Sequence, residues 1–106
     1  MEKVILESPY AGDIETNIDY ARKCMADSFK RGEAPFASHL LYTQLGILDD
    51  SITNERELGI NAGLLWGEMA DRTVVYIDLG ISKGMEYGIN NAIKAGRAIE
   101  YREILC

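Results

Sequence analysis

Thr73-Val74-Val75-Tyr76-Ile77 is apolar or β-branched at every position. A run without alternation reads as a strand buried on both faces, as in the middle of a parallel sheet. Parallel strands need long crossover connections, usually helical. The sequence supplies them on both sides. After the strand, Asp78-Leu79-Gly80-Ile81 is a loop and Ser82 caps a helix to about Ala95. Its inner face carries Met85, Ile89, Ala92 and Ile93, and Gly96 ends it. Before the strand, Thr53 caps a helix to about Ala70, with Leu58, Ala62, Leu65 and Met69 on one face. Asp71-Arg72 is the turn between them.

Further out, Lys3 to Glu7 reads as a strand, closed by Ser8-Pro9. Asp13 caps a helix from about Ile14 to Arg31, with Ile14, Ile18, Ala21, Met25 and Phe29 as its apolar face. Cys24 and Ser28 border that face, and Gly32 stops the helix. Ala34-Pro35-Phe36-Ala37 is a short strand that Pro35 assigns to an edge. Ser38 caps a short helix, His39 to Leu45, and Ile47 to Ile52 is a polar loop. Arg97 to Ile104 is the last strand. Alternating strands and helices predict a small three-layer, Rossmann or flavodoxin-like α/β fold. The expected sheet has about four parallel strands in the order 2-1-3-4.

The 106 residues fit one domain, 47% hydrophobic and 26% charged. A net charge of −6 argues against a nucleic-acid partner, which needs a basic face. No apolar stretch approaches a membrane span, and Met1 to Leu6 lacks the pattern of a secretory signal. Cys24 and Cys106 read as reduced thiols of a cytoplasmic protein. With the lone His39 they fit no familiar zinc spacing, so neither a metal nor another cofactor is expected.

In sheets of this kind ligands bind outside the carboxyl ends of the strands, where strand order reverses. That places a site between the loops Ser8–Asp13 and Asp78–Gly84. The first offers Ser8, Pro9, Tyr10 and Gly12, with Asn17 on the following helix. The second offers Asp78, Ser82, Gly84 and Met85. Small residues and a capping serine at a helix start suit a phosphate or carboxylate. Tyr10 suits stacking on a base or sugar. His39, at the end of the second strand, faces the cleft as an anion or base contact, or fills space. Asp49, Asp50 and Asp71 read as solvated loop or turn residues. Gly59, Gly63 and Gly67 recur every fourth residue on one helix, each at a cost of about 1 kcal/mol relative to alanine. Such a stripe demands close approach, by a neighbouring helix or by another subunit. Trp66 beside it suits a core or an oligomer interface, and a homo-oligomer is expected.

Ser8-Pro9-Tyr10-Ala11-Gly12-Asp13 with Asn17, then Ala70 to Val75 leading into Ser82-Lys83-Gly84-Met85, resembles the nucleoside 2-deoxyribosyltransferase-like superfamily. Gly96-Arg97-Ala98-Ile99 resembles its closing segment. The resemblance covers nearly the whole chain, 1–106, as a single domain, and is closest to small phage and bacterial members. It implies a nucleoside or nucleotide site in which Ser82 and Gly84 hold the sugar's 5′ group and Tyr10 lies in the first-loop site. In the enzymes of that superfamily a glutamate on the last helix attacks the anomeric carbon and forms a covalent glycosyl intermediate. Counted from Gly84 and Gly96, that position here is Gly88. Glu86 lies two residues earlier, about 200° around a helix. It serves as the catalytic residue only if the helix begins later.

The leading expectation is therefore a protein that binds a nucleotide or nucleoside-like ligand without catalysis, in nucleotide metabolism or signal binding. The alternative is an N-glycosidase or deoxyribosyltransferase using Glu86. A third reading is an oligomeric structural protein with a vestigial cleft.

Overall fold

In chain order the elements are β1 (Lys3–Glu7), α1 (Ile14–Lys30), β2 (Ala34–Phe36), α2 (Ser38–Leu41), α3 (Thr53–Gly67), β3 (Arg72–Tyr76), α4 (Lys83–Ala95) and β4 (Ala98–Arg102). They come from a computed structural model that describes residues 1–105. The expectation for Cys106 lies outside these residues. The strands form one parallel sheet in the order β2-β1-β3-β4, as expected. Pro35 sits on the edge strand β2, where its missing N–H costs no ladder bond.

Strand parity sorts the core into two layers. Val4, Leu6, Val74 and Tyr76 pack with Tyr20, Cys24 and Ala37 on the α1 side. Val75 packs with Met85 and Ile89 of α4 on the other. Ile5 and Glu7, on the opposite parity to Val4 and Leu6, line one cavity with residues of α3 and α4. Among the described residues no helix is long and apolar enough to cross a membrane.

Two helices present different faces from those their apolar periodicity suggests. α1 buries Asn17, Tyr20, Ala21, Cys24 and Ser28, while Ile14 and Phe29 are exposed. The stripe is turned by about one residue because its polar members are satisfied inside. Asn17 Nδ2 donates to the carbonyls of Tyr10 and Ala11, both at 3.0 Å. Tyr20 donates to Asp78 at 2.5 Å, and Ser28 donates to Glu33 at 2.8 Å. The expected inner face of the third helix points outward: Leu58 and Leu65 of α3 are exposed, as are Met69 just past its end at Gly67 and Trp66. The glycines are turned inward instead. A side-chain carbon on Gly59 would meet Leu48, and one on Gly67 would meet Ile5 and Arg97. The short α2 ends at Leu41 rather than Leu45.

At Gly63 the approach is closest. A Cβ there would lie 2.8 Å from Ser38 Oγ and 2.9 Å from Ser38 Cβ, and the latter is fixed to the backbone of α2. The stripe is an intrachain packing device and does not itself call for a second subunit. Gly63→Ala is therefore expected to destabilise the fold by about 1–3 kcal/mol. Urea unfolding checks this, and a midpoint equal to wild type contradicts the packing.

Candidate functional site

The loops after β1 and β3 leave the sheet in opposite directions, toward α1 and α4, and a cleft opens between them. A cavity of about 160 Å³ lies there. It brings together Ser8, Tyr10, His39, Ser82, Gly84 and Met85 from the expected set. Ser82 caps α4: its Oγ accepts from Met85 N at 3.3 Å, and its own N–H faces Met85 Sδ at 3.3 Å. Gly84 has nothing but Ser82 Oγ, at 3.9 Å, near the place of its missing side chain, so the backbone there is open to the cavity. Ser8 Oγ and His39 Nε2 share a hydrogen bond of 2.7 Å. Burial pushes the His39 imidazole down to about 4, so the ring is neutral at pH 7. Tyr10 anchors its hydroxyl on the Thr43 carbonyl at 3.1 Å and sets its ring edge-on to His39. A second space of about 960 Å³ shares Tyr10, Ala11, Asp50 and Arg56 with the first and also reaches Gly12.

Several expected residues lie elsewhere. Asp78 is a structural clamp. It accepts from Tyr20 and from the amides of Ile104 and Leu105, at 2.5–3.1 Å. Burial works against its charge, but these donors hold its carboxyl below the usual range. Asn17 is occupied by the first loop's carbonyls, and Pro9 is buried away from the cavities. Glu86 is exposed and lines none of the cavities described here. The helix begins at Lys83 with Ser82 as its cap, so there is no later start to turn Glu86 inward.

The residue that the sequence reading missed is Glu7. It ends β1 and lines both the cleft and a smaller inner cavity of about 50 Å³ behind it. Its carboxyl fills the space that a side chain on Gly88 would take, within contact distance of both oxygens. No ion pair among the described residues includes it. The cation whose charge acts on it is Arg97, tied to the Gly67 carbonyl at 2.6 Å and to Thr73 Oγ1 at 3.1 Å. Burial pushes the Glu7 carboxyl up to about 8, with Arg97 only partly opposing it. Strand parity was the available signal, because Val4 and Leu6 facing α1 send Glu7 to the α4 side. Ser38, Arg56 and Lys83 complete the walls, and so does Asp50 from the loop before α3.

Glu7 and His39 make stability depend on pH in opposite senses. Between 4.5 and about 8 the folded state keeps a proton on Glu7 that the unfolded state has lost, so stability falls as pH rises. Between about 4 and 6.5 the unfolded state holds a proton on His39 that the folded state lacks, so stability rises with pH. The two effects oppose each other up to pH 6.5, and Glu7 acts alone above it. Stability is expected to fall by about 1–2 kcal/mol from pH 6.5 to 8. The slope should vanish in Glu7→Gln, as followed by urea unfolding at each pH.

Solved structures share this architecture. A 2-deoxyribosyltransferase from the psychrotolerant bacterium Bacillus psychrosaccharolyticus superposes with a TM-score of 0.73 at 18% identity, over 95% of this chain and 72% of that one. A 2-deoxyribosyltransferase from Leishmania mexicana gives 0.62 at 11% identity, over 97% of this chain. This chain spans 65% of the Leishmania protein, just under two thirds of its length. The fold is thus that of the 2-deoxyribosyltransferases. No curated protein matches the sequence. Residues 2–102 match the family described as Domain of unknown function (DUF7768), and with nearly its whole length inside that match the chain belongs to this family.

Proposed function

We propose that the protein binds a nucleoside or nucleotide-like ligand at the carboxyl ends of β1 and β3. The observation that carries this reading is the single cavity joining Ser8 and Tyr10 of the first loop to Ser82, Gly84 and Met85 of the second, with His39 between them. Its 160 Å³ suits a sugar and is small for a whole ligand, since such sites usually measure about 300–1,000 Å³. The adjoining space beyond Tyr10 takes the rest. An anionic group meets the amides at the start of α4 and the Ser82 hydroxyl, with Lys83 and Arg56 beside them. The base lies toward Tyr10. Folds of this kind in 2-deoxyribosyltransferases support the ligand class.

A homo-oligomer remains part of the proposal on different grounds. The outward apolar side of α3, with Leu58, Leu65 and Trp66, and Met69 just beyond it, takes over from the glycine stripe as the surface a second copy would cover. Sedimentation giving a monomer at high micromolar concentration contradicts it.

Ligand binding is tested by thermal shift against a panel of nucleosides and their 5′-monophosphates. A ligand at 100 times its dissociation constant adds about 2.7 kcal/mol. Gly84→Val has room to fold but puts its methyl groups into the cavity. It is expected to unfold near the wild-type temperature and to lose the ligand-induced shift. An unchanged shift places the ligand elsewhere.

A further inference from the structure

We propose that the inner cavity between β1, α3 and α4 is a subsite for the vicinal diol of a ribose, so that the protein selects a ribonucleoside or ribonucleotide over its 2′-deoxy form. The inference rests on the nucleoside-like ligand proposed above and deepens it. Its own ground is a set of polar tips that meet in one small space. The cavity, about 50 Å³, adjoins the cleft through Glu7, Ser38, Ile60 and Gly84, which line both. Gly63 and Gly67 of α3 and Gly88 of α4 also line it, and at each of them a polar tip lies near the place where a side chain would start. Ser38 Oγ is 2.8 Å from the place of a Cβ on Gly63, Arg97 Nη2 is 3.7 Å from that on Gly67, and the Glu7 carboxyl fills that on Gly88. Asn91 adds an amide to the same cavity. Among the described residues no hydrogen bond engages the side chains of Glu7, Ser38 or Asn91, and Arg97 leaves Nη2 unused after bonding to Thr73 and Gly67. The sealed polar side-chain atom without a partner among the described residues is Arg72 Nε, so these groups keep surface open to the cavity. Structural carboxylates in this chain are held by donors: Glu33 by Arg102 and Ser28, Asp78 by Tyr20 and two amides. Glu7 has no such donor.

Size and chemistry name the group that fits. The space holds one or two hydroxyls, since a water molecule takes about 30 Å³ in the liquid. A base ring or a phosphate is too large for it, and an anionic group has Lys83 and Arg56 to meet in the cleft instead. A carboxyl presents two oxygens side by side, and hydroxyls on adjacent carbons meet them in parallel. An acidic residue holds the ribose 2′-hydroxyl of NAD by the same chemistry in dinucleotide-binding folds. Burial keeps a proton on Glu7 up to about pH 8, so near neutrality one oxygen donates while the other accepts, and a pair of hydroxyls answers both. Ser38, Asn91 and Arg97 stand around the same space as further partners. A 2′-deoxy sugar leaves one Glu7 oxygen in the cavity without its partner. A site built to bond a hydroxyl discriminates against the analogue that lacks it for this reason.

The test is calorimetric titration of wild type, Glu7→Ala and Gly88→Ala with ribonucleoside 5′-monophosphates of the common bases. Beside them run the 2′-deoxy forms and the arabinosyl forms, in which the 2′-hydroxyl is inverted. Wild type is expected to bind at least one ribonucleotide about 10–100-fold more tightly than its 2′-deoxy and arabinosyl forms. Glu7→Ala is expected to bind the ribo and 2′-deoxy forms nearly equally. In Gly88→Ala the new methyl group displaces the Glu7 carboxyl, while alanine suits the helix better than glycine. It is expected to stay folded, as followed by urea unfolding, and to lose most of the ribose preference with Glu7 still in the chain. This second variant decides the matter if Glu7→Ala does not fold. Equal binding of ribo and 2′-deoxy forms by wild type, a preference for the 2′-deoxy form, or a ribose preference that survives in either folded variant overturns the inference and leaves the ligand class intact. No binding of any compound removes both readings.

Discussion

Parallel pairing of β1 with β3, in the register Leu6 opposite Val74 and Glu7 opposite Val75, is the constraint on which the site depends. Both strands present their carboxyl ends at the same edge of the sheet. Their connections then part, one to α1 and the other to α4 on the opposite face. Neither loop can cover the other, and the gap between them is the cleft. An antiparallel pair would have put Ser8 and Asp78 at opposite ends of the sheet. The register fixes which residue stands at the bottom of the gap. Glu7 is the last residue of β1 to pair, so its side chain is oriented by the sheet while its carboxyl reaches beyond it.

A buried polar network holds the far side of the molecule to this arrangement. Arg102, on the edge strand β4, reaches Glu33 with two bonds of 2.8 and 2.6 Å and also meets Tyr76 and Glu100. Tyr76 passes the connection to Asp27 on α1. Burying such a pair does little for net stability compared with apolar residues of similar size, though removing one partner costs about 3–5 kcal/mol. Its effect here is positional. The end of α1, the turn into β2 and the end of β4 are fixed to one another at the end of α1 away from the cleft. Toward the cleft, the same helix delivers Tyr20 to Asp78 and Asn17 to the first loop. The two loops are therefore tied back to α1 by side-chain hydrogen bonds.

How far the sequence could be read follows from the kind of signal each element carries. The sheet was legible because a five-residue apolar run has few other uses. The helix limits followed from Asp13, Ser82 and Gly96, which act on their immediate neighbours. Helix faces were harder. Apolar periodicity assumes that oily residues go inside, and α1 instead buries Asn17, Tyr20 and Ser28 because groups outside the helix satisfy them: the first loop's carbonyls, Asp78 and Glu33. α3 buries glycines because closeness to Ser38 and Ile5 outweighed the burial of Leu58 and Leu65. Nor does periodicity show that Asp78 is held by Tyr20, Ile104 and Leu105, or that Asn17 is held by the first loop. Six of the ten expected binding residues do meet in one cavity, since topology alone brings the loops together. Glu7 carries no local signal, because the group it rests on is Gly88, 81 positions away in the sequence.

That pair departs from what stability alone would choose. Glycine in a helix interior costs about 1 kcal/mol relative to alanine, and Gly88 lies within α4. A carboxyl without a donor at the end of a central strand is a second cost, visible in the raised pKa of Glu7. The two are not independent. Alanine at 88 would push the end of the Glu7 side chain aside, because the carboxyl holds the place of its Cβ. Replacing both, with alanine on the helix and an apolar residue on the strand, would relieve both costs and fill the inner cavity. Both departures from local rules meet at one point, on the side facing the cleft. The neighbouring cores of α1 and α4 show no such departure: Cys24, Val75 and Ile89 are buried among apolar partners. The interior glycines of α3 carry the same backbone cost, but they meet Leu48, Ser38, Ile5 and Arg97 rather than a carboxyl without a donor.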